Sequence, residues 1–312
     1  MLNDVEALSD DAARELAQGY AGLVAGLGLP AGEPLLVLPN AEFFPDTFQA
    51  DAPSVERLVA RMQGYAALEA LAIEVEVVGE LAGSSAGSCG TGGCGSGACD
   101  VPAVQSSMPR LARAEGGYRL HVPADELSNP IVLTARLATS LGAVALVERH
   151  PEGAERVLDG TQAEVAAVAL GFGVLLLEAS YMYRKACGGP SVACATGLGL
   201  RELAWLFALS VAREGHSLRA ALAELGTTQR ALVKEAATLA AESRTLVRVL
   251  KDNPARVARG DFRLREGGSL WSRLFARRPQ TKEARLDAAL AALENGASVD
   301  ELAELVGPTE SR

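Results

Sequence analysis

The feature that most constrains this chain is an uncharged apolar run of 13 residues, Val165 to Leu177 (VAAVALGFGVLLL), held between Glu164 and Glu178. A membrane-spanning helix needs about 20 such residues, so the run is read as a buried helix of a soluble protein. Its surroundings must be built from small side chains. Aromatic residues make up only 4% of the chain, although hydrophobic residues reach 49%. A core of Ala, Leu and Val favours closely packed helices over an all-β sandwich. With charged residues at 22%, such a composition excludes disorder over most of the 312 residues.

Periodicity and punctuation place the other elements. Residues 4–27 carry Leu8, Ala12, Leu16, Leu23 and Leu27 at helical spacing, closed by Pro30. Leu35–Leu38 is a short apolar run between prolines and is expected to be a strand. The loop Pro39–Asp46 holds two adjacent aromatics, Phe43 and Phe44. Residues 54–68 predict a helix with Ser54 as N-cap. Ile73–Val78 alternates apolar and charged residues, the pattern of a half-buried strand. Gly79–Asp100 is rich in Gly, Ser and Ala, and chain entropy argues for a long loop. Tyr118–Val122 is a further strand. Helices follow over 130–147, 161–184, 201–213 and, with turn signals near Gly226, 217–250.

Asp and Glu total 39 against 29 Lys and Arg, a net charge of −10. An acidic surface argues against broad contact with nucleic acid or anionic lipid. The first 20 residues are acidic and amphipathic, unlike a secretory signal, so a cytoplasmic location is expected. The five Cys are then expected to be reduced.

Five segments in order carry a resemblance: Val37–Pro45 (VLPNAEFFP), the strand Ile73–Val78, the Cys-bearing loop, the strand-turn-helix Tyr118–Leu146, and Leu170-Gly171-Phe172-Gly173-Val174. Together they resemble a loosely characterised bacterial family of zincin-like proteins, over roughly residues 35–215. Its members carry a helix of the form LVATLAHELAHV after a strand and a turn, with an acidic third ligand shortly before a GxG in the next helix. The resemblance implies an α+β fold, mostly helical, with a small sheet near the N-terminus and a zincin-like helical core.

It also implies a site that this chain has lost. In a zincin the two His of HExxH, at i and i+4, bind Zn²⁺ from one helix face while the Glu polarises the bound water. Here Thr139 stands at the first His, Ser140 at the Glu and Ala143 at the second His. Of the ligand set only Glu164, at the acidic third position, survives. One carboxylate does not make a zinc site. HExxH occurs nowhere in the chain.

Other candidate chemistry is sparse. Cys89, Cys94 and Cys99 space three thiols by four residues each in the Gly-rich loop. Three readings stand side by side: incidental thiols on a mobile surface loop, ligands for zinc or an iron-sulfur cluster with Cys187 or Cys194, or disulfide chemistry. No P-loop and no G-x-G-x-x-G between strand and helix supports nucleotide binding. His121, His150 and His216 lie on different elements and are read as structural or surface residues. Asp125-Glu126 reads as a solvated turn, Glu42 with Asp46 as an acidic loop pair, and Arg201-Glu202 and Arg213-Glu214 as surface charges. In the tail, Leu270, Trp271, Leu274 and Phe275 share one helical face opposite Arg residues; three readings stand, a helix packed back on the main domain, a contact for a protein partner, and an anionic membrane.

The expected organisation is an N-terminal helix (1–30), a zincin-like domain (33–250) whose sheet uses 35–38, 73–78 and 118–122, a basic linker (251–282) and a small helical hairpin (283–306). The expected function is a non-catalytic, cofactor-free scaffold that binds a protein partner through Trp271, Leu274 and Phe275, with no nucleic acid and no stable membrane insertion. The alternative is a Cys-based metal-binding or redox protein.

Overall fold

The computed structural model describes residues 8–29, 31–32, 34–79, 110–149, 160–186 and 189–265. The chain divides into two units, Met1–Glu266 and Gly267–Arg312; the second lies outside the described residues, as do the expected hairpin and most of the expected linker.

The fold is α+β and mostly helical, as the sequence predicts. Helix α1 (Asp10–Leu27) starts where Ser9 Oγ accepts from Ala12 N and ends at Gly28 in the left-handed region. Its Ala13, Ala17, Tyr20, Ala21, Val24 and Leu27 are buried in the common core. The indole of Trp205, itself fully buried, donates to Ala13 O at 2.8 Å.

Helix α2 (Ala52–Tyr65) begins earlier than expected. Asp51, not Ser54, is the N-cap: its Oδ1 accepts from Ser54 N at 2.8 Å, which places Ser54 inside the first turn. The sheet consists of β1 (Ala72–Val78), β2 (Leu111–Ala114) and β3 (Gly117–Pro123), in the order β1-β3-β2. β1 runs parallel to β3, with Val75 opposite Leu120, and β2 runs antiparallel to β3. Leu35–Leu38 is not among its strands. That segment crosses the helical core instead, with Val37 N donating to Gly171 O at 3.1 Å. An apolar run that short satisfies a strand and a buried extended crossing equally well.

After a single turn of 3₁₀-helix at Ala124–Ser128 comes α3 (Pro130–Arg149), then α4 (Thr161–Ala167), a π-helical turn (Val168–Phe172) and α5 (Gly173–Ser180). The expected helix 161–184 is thus interrupted. Gly171, at φ 96°, breaks the α-helical path, and a Cβ there would lie 1.7 Å from Leu35 O. Only glycine tolerates both the dihedral and the approach. Small residues also set the α3–α4 crossing: a Cβ on Gly142 would sit 2.2 Å from Ala163 O. Backbones that close explain how a core so poor in aromatics packs densely. By length and apolarity Pro130–Arg149 and Thr161–Ser180 could each cross a membrane, but 67% and 94% of their apolar windows are buried inside the protein.

The remainder is a hairpin, β4 (Met182–Ala186) with β5 (Gly189–Ala193), followed by α6 (Leu200–Glu214), α7 (Leu218–Glu224), α8 (Thr227–Glu242), α9 (Arg244–Asp252) and α10 (Pro254–Ala258). The hairpin replaces the expected end of the long helix. Helix α10 and Phe262 extend the core beyond residue 250: Phe262 is buried and the Arg14 guanidinium lies over its ring.

Three polar sites are less exposed than the sequence suggests. Arg213 and Glu214 are not surface residues. They form a buried pair in which Arg213 also donates to Leu29 O, and Glu214 accepts from Gly32 N. The pair thereby ties the end of α6 to the turn after α1. Glu126 is not simply solvated either, since Arg110 Nη1 donates to its Oε1 at 2.9 Å. His121 faces inward rather than to solvent, 7% exposed and 3.5 Å from Glu76 Oε2.

Candidate functional site

The residues aligned with the zincin motif are engaged in holding the fold. Thr139 Oγ1 donates to Ala135 O at 3.1 Å and Ser140 Oγ to Arg136 O at 2.9 Å, both along their own helix. Ala143 is buried with no polar atom to offer. Glu164 is 4% exposed, and its two carboxylate oxygens accept from Gly197 N at 2.7 Å and Leu198 N at 2.8 Å. It fastens the loop that leads into α6. Charged acceptors make the stronger class of hydrogen bond, which suits a clamp. Among the described residues no hydrogen bond joins Glu164 to Thr139. This donor set does not fit the zinc that the resemblance implies. Among the described residues no group of three or more His, Cys, Asp or Glu could hold a metal ion.

Cys89, Cys94, Cys99 and Cys187 lie outside the described residues, as do His150 and Trp271, Leu274 and Phe275. Cys194 is exposed, with Sγ 3.3 Å from Thr196 O. His216 Nε2 lies 2.8 Å from Pro34 O, a structural contact.

The chemistry collects elsewhere, in a cavity of about 470 Å³. The loop after Leu38 forms one wall with Pro39, Phe44 and Phe48; α2 adds Leu58. The N-terminal end of α3 contributes Pro130, Ile131 and Thr134, and α5 contributes Leu175. Local chemistry stiffens the loop. Asn40 Oδ1 accepts from Glu42 N at 3.1 Å, and Phe44 N donates to Asn40 O at 2.8 Å. Phe43 and Phe44 meet the Tyr65 ring edge-on at 5.5 and 6.3 Å, and the Tyr65 hydroxyl donates to Phe43 O.

A few polar groups face this apolar space. Arg61 is held by Asp46 through Nε at 3.1 Å and Nη2 at 2.6 Å, and Arg57 Nη2 donates to Ser54 Oγ at 2.8 Å. Glu178, at the end of the apolar run, is half-buried and makes no hydrogen bond or ion pair among the described residues. Burial, and then the neighbouring charge of Glu224, push its carboxyl above the ordinary Glu value.

Sequence reasoning singled out the Phe43-Phe44-Pro45-Asp46 loop but not Arg57, Arg61, Glu178 or Glu224. The available signal was Glu178 itself, a charge placed immediately after 13 uncharged residues.

No family model, no curated protein and no solved structure matches this chain.

Proposed function

We propose that the chain is a non-catalytic binding protein of the cytoplasm, built on a zincin-like helical scaffold, and that the cavity between the Pro39–Phe48 loop, α2, α3 and α5 is its binding site for a small apolar ligand. The observation that carries this is the cavity's character: about 470 Å³ of largely apolar space with a small set of polar groups at its walls. Small-molecule sites commonly measure about 300–1,000 Å³ and have this lining. The non-catalytic part is supported by the hydroxyl and carboxylate bonds of Thr139, Ser140 and Glu164, which commit the aligned residues to backbone partners, the hydroxyls within α3 and the carboxylate to the loop at Gly197 and Leu198.

Calorimetric titration with 1-octanol tests the reading. Saturable one-site binding is expected, and Thr134→Trp, which adds an indole at the cavity wall near the start of α3, should abolish it. Absence of binding, or binding indifferent to Thr134→Trp, overturns the proposal. Casein should remain uncut with or without added Zn²⁺; cleavage that a chelator and Glu164→Ala both abolish would overturn the non-catalytic part.

A further inference from the structure

We propose that the cavity selects an apolar ligand bearing one positive charge, an alkyl- or arylamine, with the Glu178 carboxylate as its counter-ion. This rests on the cavity being a binding site. Glu178 lines the cavity from the last turn of α5, half-buried, with no hydrogen-bond or ion-pair partner among the described residues. A carboxylate taken partly out of water needs a partner to offset its lost hydration.

The cavity's own cations do not provide one. Arg61 is bound to Asp46, and Arg57 reaches Ser54. The charge that does act on Glu178 is a second carboxylate, Glu224, whose Oε1 accepts from Asn40 Nδ2 at 3.4 Å. Glu178 therefore brings an unpaired carboxylate to a largely apolar wall, and the second carboxylate, Glu224, held by the cavity residue Asn40, is near enough to act on it. An ammonium group placed there gains charge-assisted hydrogen bonds and relieves the repulsion between the carboxylates. An anionic ligand would meet that repulsion directly. A divalent metal ion is the poorer match, because two carboxylates fall short of a ligand set and no third His, Cys, Asp or Glu joins them among the described residues.

The charged groups that line the cavity are Glu178, Asp46, Arg57 and Arg61, with Glu224 acting on Glu178 from beside it, and burial raises the Glu178 carboxyl above the ordinary Glu value. The preference for amines should therefore fade as pH falls and Glu178 takes up a proton.

The test is titration of the full chain at pH 7.5 with three probes of equal length: 1-octylamine, 1-octanol and octanoate. Octylamine is expected to bind at least tenfold more tightly than octanol, and octanoate more weakly than either. In Glu178→Gln the preference for octylamine over octanol should vanish. Equal binding of amine and alcohol by the unmodified chain, which needs no variant to read, overturns the charge selection and leaves the cavity reading standing. Tightest binding of octanoate would also overturn it, assigning the site to Arg57. Failure of all three probes to bind removes the cavity reading itself.

Discussion

Gly171→Ala should be among the most damaging single-methyl changes in this chain. The residue sits at φ 96°, in the region where an L-side chain costs about 1–2 kcal/mol. The added Cβ would lie 1.7 Å from Leu35 O and 2.9 Å from Leu35 C, so the crossing segment must move. Overpacking of this kind costs about 1–3 kcal/mol. Movement also weakens the bond from Val37 N to Gly171 O, worth about 1 kcal/mol. The sum is about 3–6 kcal/mol, read as a lowered urea midpoint with little change in slope. Because Leu35–Leu38 leads straight into the cavity loop, octanol affinity should fall with it. Gly19→Ala is the control: Gly19 lies in the middle of α1, exposed, with nothing within 4 Å of the added methyl, and should gain about 0.5–1 kcal/mol. A loss below about 1 kcal/mol for Gly171→Ala would refute the close crossing.

Three further outcomes are expected. Arg213→Met leaves Glu214 buried without its cation and should cost about 3–5 kcal/mol, measured by thermal or urea unfolding. Glu164→Gln turns an amide NH₂ towards one of two backbone donors and should cost about 1–3 kcal/mol, with faster hydrogen exchange at Gly197 and Leu198. The raised carboxyl of Glu178 adds stability that is fully present below the ordinary Glu pKa and lost as pH rises through its raised value. Glu178→Gln should therefore match the unmodified chain in urea midpoint at pH 4 and exceed it at pH 7.5.

Local pattern was enough to place β1, β3 and α3, because alternation at Ile73–Val78 and the Asn129-Pro130 helix start each depend on neighbouring residues alone. The interruption at Gly171 was not legible: it depends on Leu35 passing at close range, a contact 136 positions away in sequence. Arg213-Glu214 reads as surface charge for the same reason, since its partners Leu29 and Gly32 come from the far end of the chain. At the site, the loop of two aromatics was visible in the sequence. The gathering of Arg57, Arg61 and Glu178 around it was not, because α2, α3 and α5 meet there only in the folded chain. The zincin resemblance directed attention to Thr139, Ala143 and Glu164, where hydrogen bonding is already complete or no donor exists.

The most direct measurement is a methyl NMR titration of the full chain with 1-octanol. Saturable shifts at Leu58, Ile131, Leu133 and Leu175, which line the cavity, are predicted, with Val144 and Val165 beside the aligned motif unmoved. Shifts centred on Val144 and Val165, or none that saturate, would contradict the assignment of the cavity as the functional site.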